Sequence, residues 1–246
     1  METIEKIKRR ITSIPVKKYC AKGYRKISHR KGYGVHSPFV YCLITKIIEE
    51  KAAYYRYADI ENAYFRTKTV LGDKLPVKLQ TLKASKLLFR LANRFKPDTI
   101  LECGTSYGVS TLALAYASPE AALTVIEPNA GIMALAAGAV PGADVRCGTY
   151  EEELVRFLSG CRHPDFIYIR NQASAADYKT IFSILSPHIP ESAVIVTEGI
   201  RKDKEVYEIF CGFTAHDRVK IVMDLYDIAI LIASPKLNKG RYKESF

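Results

Sequence analysis

No stretch of this sequence approaches the roughly 18 consecutive apolar residues of a membrane-spanning helix, so no transmembrane segment is expected. The N-terminus reads METIEKIKRR and develops no apolar core behind its charges, which excludes the pattern of a secretory signal. None of the 6 cysteines stands in a C-x-x-C pair, and several fall in apolar runs. Neither a disulfide framework nor a zinc site is expected, and the thiols read as reduced, in a cytoplasm. Internal repeats and low-complexity segments are also missing. With 48% apolar and 26% charged residues, the composition excludes a disordered or collagen-like chain.

The 246 residues suit one large domain with an appended segment. The net charge of +11 is unevenly spread. Residues 1–36 hold 11 Lys/Arg against 2 Glu, residues 37–80 hold 7 basic against 5 acidic, and residues 81–246 hold 19 of each. The chain reads as a neutral body behind a basic arm. Within the arm, Ile4, Ile7, Ile11 and Ile14 mark one apolar helix face, ended by Pro15. Ser37-Pro38 then reads as an N-cap with proline at the first helical position, opening a helix to about Lys51. Residues 52–80 carry Tyr54, Tyr55, Tyr57, Tyr64 and Phe65 and end in a loop around Gly72 to Pro76.

From Leu79 onward helical and strand patterns alternate. LKASKLLFRLANRF is an amphipathic helix stopped by Pro97, and strands are expected at 99–103, 122–127, 144–147, 165–169 and 193–197, with helices between them. In 219–233 two apolar runs are separated by too few residues for a crossover helix, so they must pair as an antiparallel hairpin. The expected fold is α/β: a Rossmann-like, seven-stranded, mostly parallel sheet with one reversed strand, helices on both faces and an N-terminal helical extension. The division is an arm (1–36), a Tyr-rich helical extension (37–80) and an α/β domain (81–246).

In such sheets ligands bind outside the carboxyl ends of the strands, where the strand order reverses. The first strand runs into Glu102-Cys-Gly104-Thr-Ser-Tyr-Gly108, where glycines allow a tight turn and the next helix offers N–H groups to an anionic group. It is not a P-loop, since no Gly-Lys-Ser/Thr follows, and Ser106 and Val109 break the dinucleotide fingerprint. The second strand ends in Glu127, whose carboxylate can accept from both hydroxyls of a ribose.

These strings resemble class I S-adenosylmethionine-dependent methyltransferases and, more narrowly, a Bacteroidetes group of small-molecule O-methyltransferases. The resemblance rests on GYGVHSPFVYCLITKIIEEK (32–51), KLLFRLANRFKPDTILECGTSYGVSTLALAYAS (86–118), SPHIPESAVIV (186–196) and MDLYDIAILIASPKLNKGRYK (223–243), and covers about residues 30–246. It implies S-adenosylmethionine as cofactor. Glu102, Gly104 and Gly108 would shape the pocket for its methionine part, Ser106 and Ser110 would lie near the carboxylate and amino group, Glu127 would hold the ribose, and Gly148, Thr149 and Tyr150 would flank the adenine.

The departures from the family pattern bear on catalysis. Relatives carry an aspartate after the fourth strand and paired aspartates after the fifth, where a metal often binds. Here the strings are Ile169-Arg170-Asn171-Gln172 and Glu198-Gly199, so no metal site is expected. Arg170 either binds an acidic substrate bidentately or pairs with a neighbour such as Glu198 in a site that has lost its chemistry. Glu198 or His36 could act as general base, with Arg170 and Asn171 lining the acceptor pocket and residues 41–65 covering it. The leading expectation is metal-independent methyl transfer to a small molecule. The alternatives are a catalytically degenerate scaffold or cofactor-binding module, and a nucleic-acid-associated methyltransferase guided by the arm. The arm itself reads as a solvated extension that helps a homodimer form or closes over the site, or as a contact for nucleic-acid phosphates or an anionic membrane surface.

Overall fold

A computed structural model describes residues 20, 23–25, 27–28, 31–72, 78–160, 163–170 and 174–246. The helix expected at 4–14, most of the arm, and Asn171 lie outside the described residues. Among the described residues no helix is long and apolar enough to cross a membrane, and the cysteines are free thiols.

The extension opens with α1 (Pro38–Leu43), where Ser37 caps by accepting from the Val40 amide and Pro38 takes the first turn, as the sequence suggests. It ends earlier than expected, in one wider π turn at Ile44–Ile48. A second helix, α2 (Tyr57–Leu71), follows. Next comes α3 (Leu82–Phe95), capped by the Thr81 hydroxyl on the Ala84 amide and ended by Lys96 in the left-handed region just before Pro97. The body then alternates β1 (Thr99–Cys103), α4 (Val109–Ala117), β2 (Ala122–Ile126), α5 (Ala130–Ala139), β3 (Asp144–Arg146), α6 (Tyr150–Ser159), β4 (Phe166–Ile169), α7 (Ala175–Leu185) and β5 (Ala193–Glu198). It finishes with α8 (Lys204–Thr214), β6 (Val219–Asp224), β7 (Ile228–Ala233) and β8 (Gly240–Lys243).

The sheet order is β3-β2-β1-β4-β5-β7-β6-β8, and only β7 runs against the rest. The reversed strand and the hairpin are where the sequence puts them. The sheet has eight strands rather than seven, because GRYK pairs in parallel with β6 at the edge, from Ile221↔Gly240 to Asp224↔Lys243. Side chains alternate across the sheet with the period of two that a pleat imposes. Ile100, Val125, Phe166, Tyr168, Val196 and Ile230 face one core, shared with α1, α3 and α4. Leu101, Ile126, Ile167, Ile169, Ile195 and Leu231 face the other, under α6, α7 and α8.

The Tyr-rich extension shares the first of these cores, through Val40, Leu43, Ile44, Ile47, Ile48 and Ile60. Tyr54 and Tyr57 stand edge-on to Phe89 of α3 at 5.6 and 5.7 Å. Arg90, buried, donates to the Ile47 and Ile48 carbonyls and the Tyr57 hydroxyl, so it closes the open carbonyls of the π turn. The arm is fastened at the other edge. Arg25 grips both oxygens of Asp224 at 2.9 and 3.0 Å, Arg201 grips the same carboxylate at 2.9 and 2.5 Å, and both guanidinium groups lie against the Tyr226 ring.

Candidate functional site

Strand order reverses between β1 and β4: the chain walks outward from β1 to β3, then returns to β4 on the other side of β1. Their carboxyl ends therefore bound the crevice this topology provides. The chain leaving β1 is Gly104 and the chain leaving β4 is Arg170, and the two are tied into register as Arg170 N–H donates to the Cys103 carbonyl and Gly104 N–H to the Ile126 carbonyl.

The turn after β1 needs its glycines. Gly104 (φ 77°) and Gly108 (φ 83°) are both left-handed. The two positions then part in function. A Cβ on Gly104 would come 3.0 Å from the Tyr150 hydroxyl, inside the crevice, whereas one on Gly108 would come 2.8 Å from the Ala139 Cβ. Gly108 is thus required by the approach of α5, and it also borders a cavity outside the turn.

Glu102 is fully buried, and its oxygens accept from the Ser110 hydroxyl at 2.5 Å and the Thr111 hydroxyl at 2.7 Å. Burial pushes its carboxyl up to about 7, against the pull of those two hydroxyls and of Arg170. Ser110 Oγ also accepts from the Ser106 amide, and Ser106 Oγ accepts from the Gln80 amide. Neither serine has exposed surface. Ser106 and Ser110 hold the turn together from within, and Glu102 shapes the turn through them.

Glu127 sits just past β2 and is 3% exposed. Its Oε2 accepts from the Thr105 amide and its Oε1 from the Asn129 amide, each at 3.0 Å. Burial raises its pKa, opposed by those amides and by Arg170. After β3, Thr149 caps α6 by accepting from the Glu152 amide, and a Cβ on Gly148 would meet Glu153 at 2.9 Å. Of that trio, Tyr150 is the residue that reaches the crevice, at Gly104.

Arg170 is 3% exposed, and among the described residues its side-chain hydrogen bonds go to main-chain carbonyls. Its Nη1 donates to the Thr105 carbonyl at 2.7 Å and its Nη2 to the Lys78 carbonyl. It spans from the glycine turn to the segment before α3, so the expected pairing with Glu198 is corrected. Glu198 instead accepts from the Gln80 amide group at 2.6 Å, and burial raises its pKa. His36 is exposed, and no hydrogen bond among the described residues joins it to this cluster.

Gln80, absent from the sequence expectations, is the hub of the cluster. Its side-chain amide donates to the Tyr168 hydroxyl and to Glu198, both at 2.6 Å, its oxygen accepts from Ser85, and its backbone donates to Ser106. The only signal for it is position, one residue before the Thr81 cap.

Two cavities stand out among the described residues. One of about 550 Å³ lies outside the glycine turn, between α2, α4 and α5, and includes Arg66, Tyr107 and Leu135. The other, of about 1100 Å³, includes Tyr54, Tyr57, Lys83, Lys86, Arg90 and Tyr226. Among the described residues no group of three or more His, Cys, Asp or Glu is placed to hold a metal ion.

No protein-family model matches the sequence, and no curated protein matches it. Solved structures do match in fold. An O-methyltransferase from Bacillus cereus in complex with SAH shares 17% identity at a TM-score of 0.57, over 79% of this chain and 96% of that one. TomG from Streptomyces achromogenes, an O-methyltransferase of tomaymycin synthesis in complex with SAM, shares 20% identity at 0.57, over 74% and 91%. The SAH-bound methyltransferase PaMTH1 of Podospora anserina shares 14% identity at 0.58, over 80% and 94%. The chain carries the fold of these enzymes, the Rossmann-like plan of class I methyltransferases.

Proposed function

We propose that the protein binds S-adenosylmethionine at the carboxyl ends of β1, β2 and β4 and transfers its methyl group to a small acceptor without a resident metal ion. Glu127 carries this reading. Each of its oxygens spends one lone pair on a backbone N–H, which leaves acceptor capacity on both for the two hydroxyls of a ribose. The glycine turn brings backbone close to the same place. When bound, the cofactor supplies a methyl group activated by its attachment to a sulfonium.

The chain's own residues would orient and protect. Glu127 fixes the nucleoside, and the glycine turn carries the remainder. Glu198, whose pKa burial raises and which Gln80 holds, is the group offered to take a proton from the acceptor. Proximity accounts for the rest of the rate, since displacement at a methyl group asks chiefly for alignment. Arg170 and Glu198-Gly199, standing where relatives carry aspartates, support metal independence.

The test is calorimetric titration with S-adenosylmethionine and S-adenosylhomocysteine, with and without EDTA. Micromolar binding that EDTA leaves unchanged is expected, and Glu127→Ala should weaken it about tenfold or more. Failure of both ligands to bind, or an unaltered Glu127→Ala, sinks the reading. The degenerate-scaffold alternative is favoured by one observation, the filling of the crevice by Arg170 and Tyr150. Tight binding with no turnover of any acceptor would select it.

A further inference from the structure

We infer that Arg170 sets the balance between the two forms of the ligand, weakening S-adenosylmethionine relative to S-adenosylhomocysteine. The inference rests on the cofactor reading above. The two molecules differ by one methyl group and by a positive charge on sulfur. A fixed cation in the same pocket acts on that difference and on nothing else they have in common.

The guanidinium meets the requirements. Its charge is permanent, because arginine does not deprotonate in proteins. It is buried at the switch point and donates to the Thr105 carbonyl of the glycine turn and to the Lys78 carbonyl opposite. Its own Cβ lies 3.7 Å from where a Cβ on Gly104 would stand. A ligand laid on that turn would lie beside this group. The direct partners among the described residues are neutral carbonyls, so no described carboxylate in hydrogen-bond contact cancels the charge. Glu102, Glu127 and Glu198 feel it through space, each drawn down by it electrostatically. These carboxylates attract a sulfonium, and Arg170 opposes that attraction. The difference between the wild type and a variant lacking the charge therefore reads the net electrostatic effect of the guanidinium on the sulfonium. At an effective dielectric of about 20, two like charges within one pocket repel by an amount that reads as about tenfold or more in affinity.

The experiment titrates wild type, Arg170→Gln and Arg170→Lys with each ligand by calorimetry at pH 8.5, above the raised value of Glu102, after a thermal melt has shown each variant folded. Arg170→Met replaces Arg170→Gln if the latter does not fold. The expected result is that loss of the charge shifts the affinity ratio toward S-adenosylmethionine by about tenfold or more, while Arg170→Lys keeps the wild-type ratio. An equal gain for both ligands means that Arg170 only obstructs the crevice, and an equal loss means that it anchors a group both ligands carry. Either outcome overturns the inference alone. If no protein binds either ligand, the cofactor reading fails and the inference falls with it.

Discussion

Replacing Glu102 by glutamine should change stability in opposite directions at acid and alkaline pH. In the folded chain this carboxyl sits without solvent between Ser110 and Thr111 and is pushed from its usual 4.5 to about 7. Between those values the folded state holds a proton that the unfolded state has released. Stability therefore falls as pH rises through that window, and the full cost is present above pH 7. The displacement corresponds to about 3 kcal/mol, at about 1.4 kcal/mol per pH unit. Glutamine removes the titration. Its amide nitrogen cannot accept, so one hydroxyl must turn away, at about 1 kcal/mol. Glu102→Gln should thus be about level with, or slightly weaker than, the wild type at pH 5 and more stable by about 2 kcal/mol at pH 8.5. Urea unfolding at the two pH values measures both. A difference that is the same at pH 5 and pH 8.5 would falsify the assignment of a strained, buried charge to Glu102.

Two further outcomes follow from the packing. Gly108→Ala combines a left-handed backbone with a Cβ 2.8 Å from the Ala139 Cβ, and should lower stability by about 2 kcal/mol in denaturant unfolding. Asp224→Asn leaves Arg25 and Arg201 facing one another without their shared anion, and should cost about 2–3 kcal/mol. Burial acts to raise the Asp224 pKa, but hydrogen bonds from Arg25 and Arg201 outweigh it and hold the carboxyl below its usual range. Its contribution is therefore present above the unfolded-state value and lost as pH falls toward the folded one, so the wild type and Asp224→Asn should converge in stability in acid.

The parts of the fold that could be read beforehand are those with strong periodicity. TILEC, ALTVI and AVIVT are short apolar runs bounded by turns, and the proximity of β6 to β7 leaves no choice but a hairpin. β8 escaped because GRYK is an edge strand, polar, with only alternate residues partly covered, and carries no apolar run. The position of Glu127 was legible because it follows an apolar strand directly. The hydrogen bonds of Ser106 and Ser110 were not, since a hydroxyl in a glycine turn looks the same in sequence whatever it bonds. Arg170 shows the same limit. Its charge is plain in the sequence, but its partners are two main-chain carbonyls, 65 and 92 residues away, that no side-chain pattern announces.

The clamp of Arg25 and Arg201 on Asp224 gives the basic arm a fixed point of departure. Arg25 and Tyr226 both border the larger cavity, so the clamp fixes this point of the arm at its rim. Tethering turns a second encounter into an intramolecular one, with an effective concentration set by the length of the leash. A molecule caught by the arm's cations would meet the cavity as a neighbour rather than as a solute.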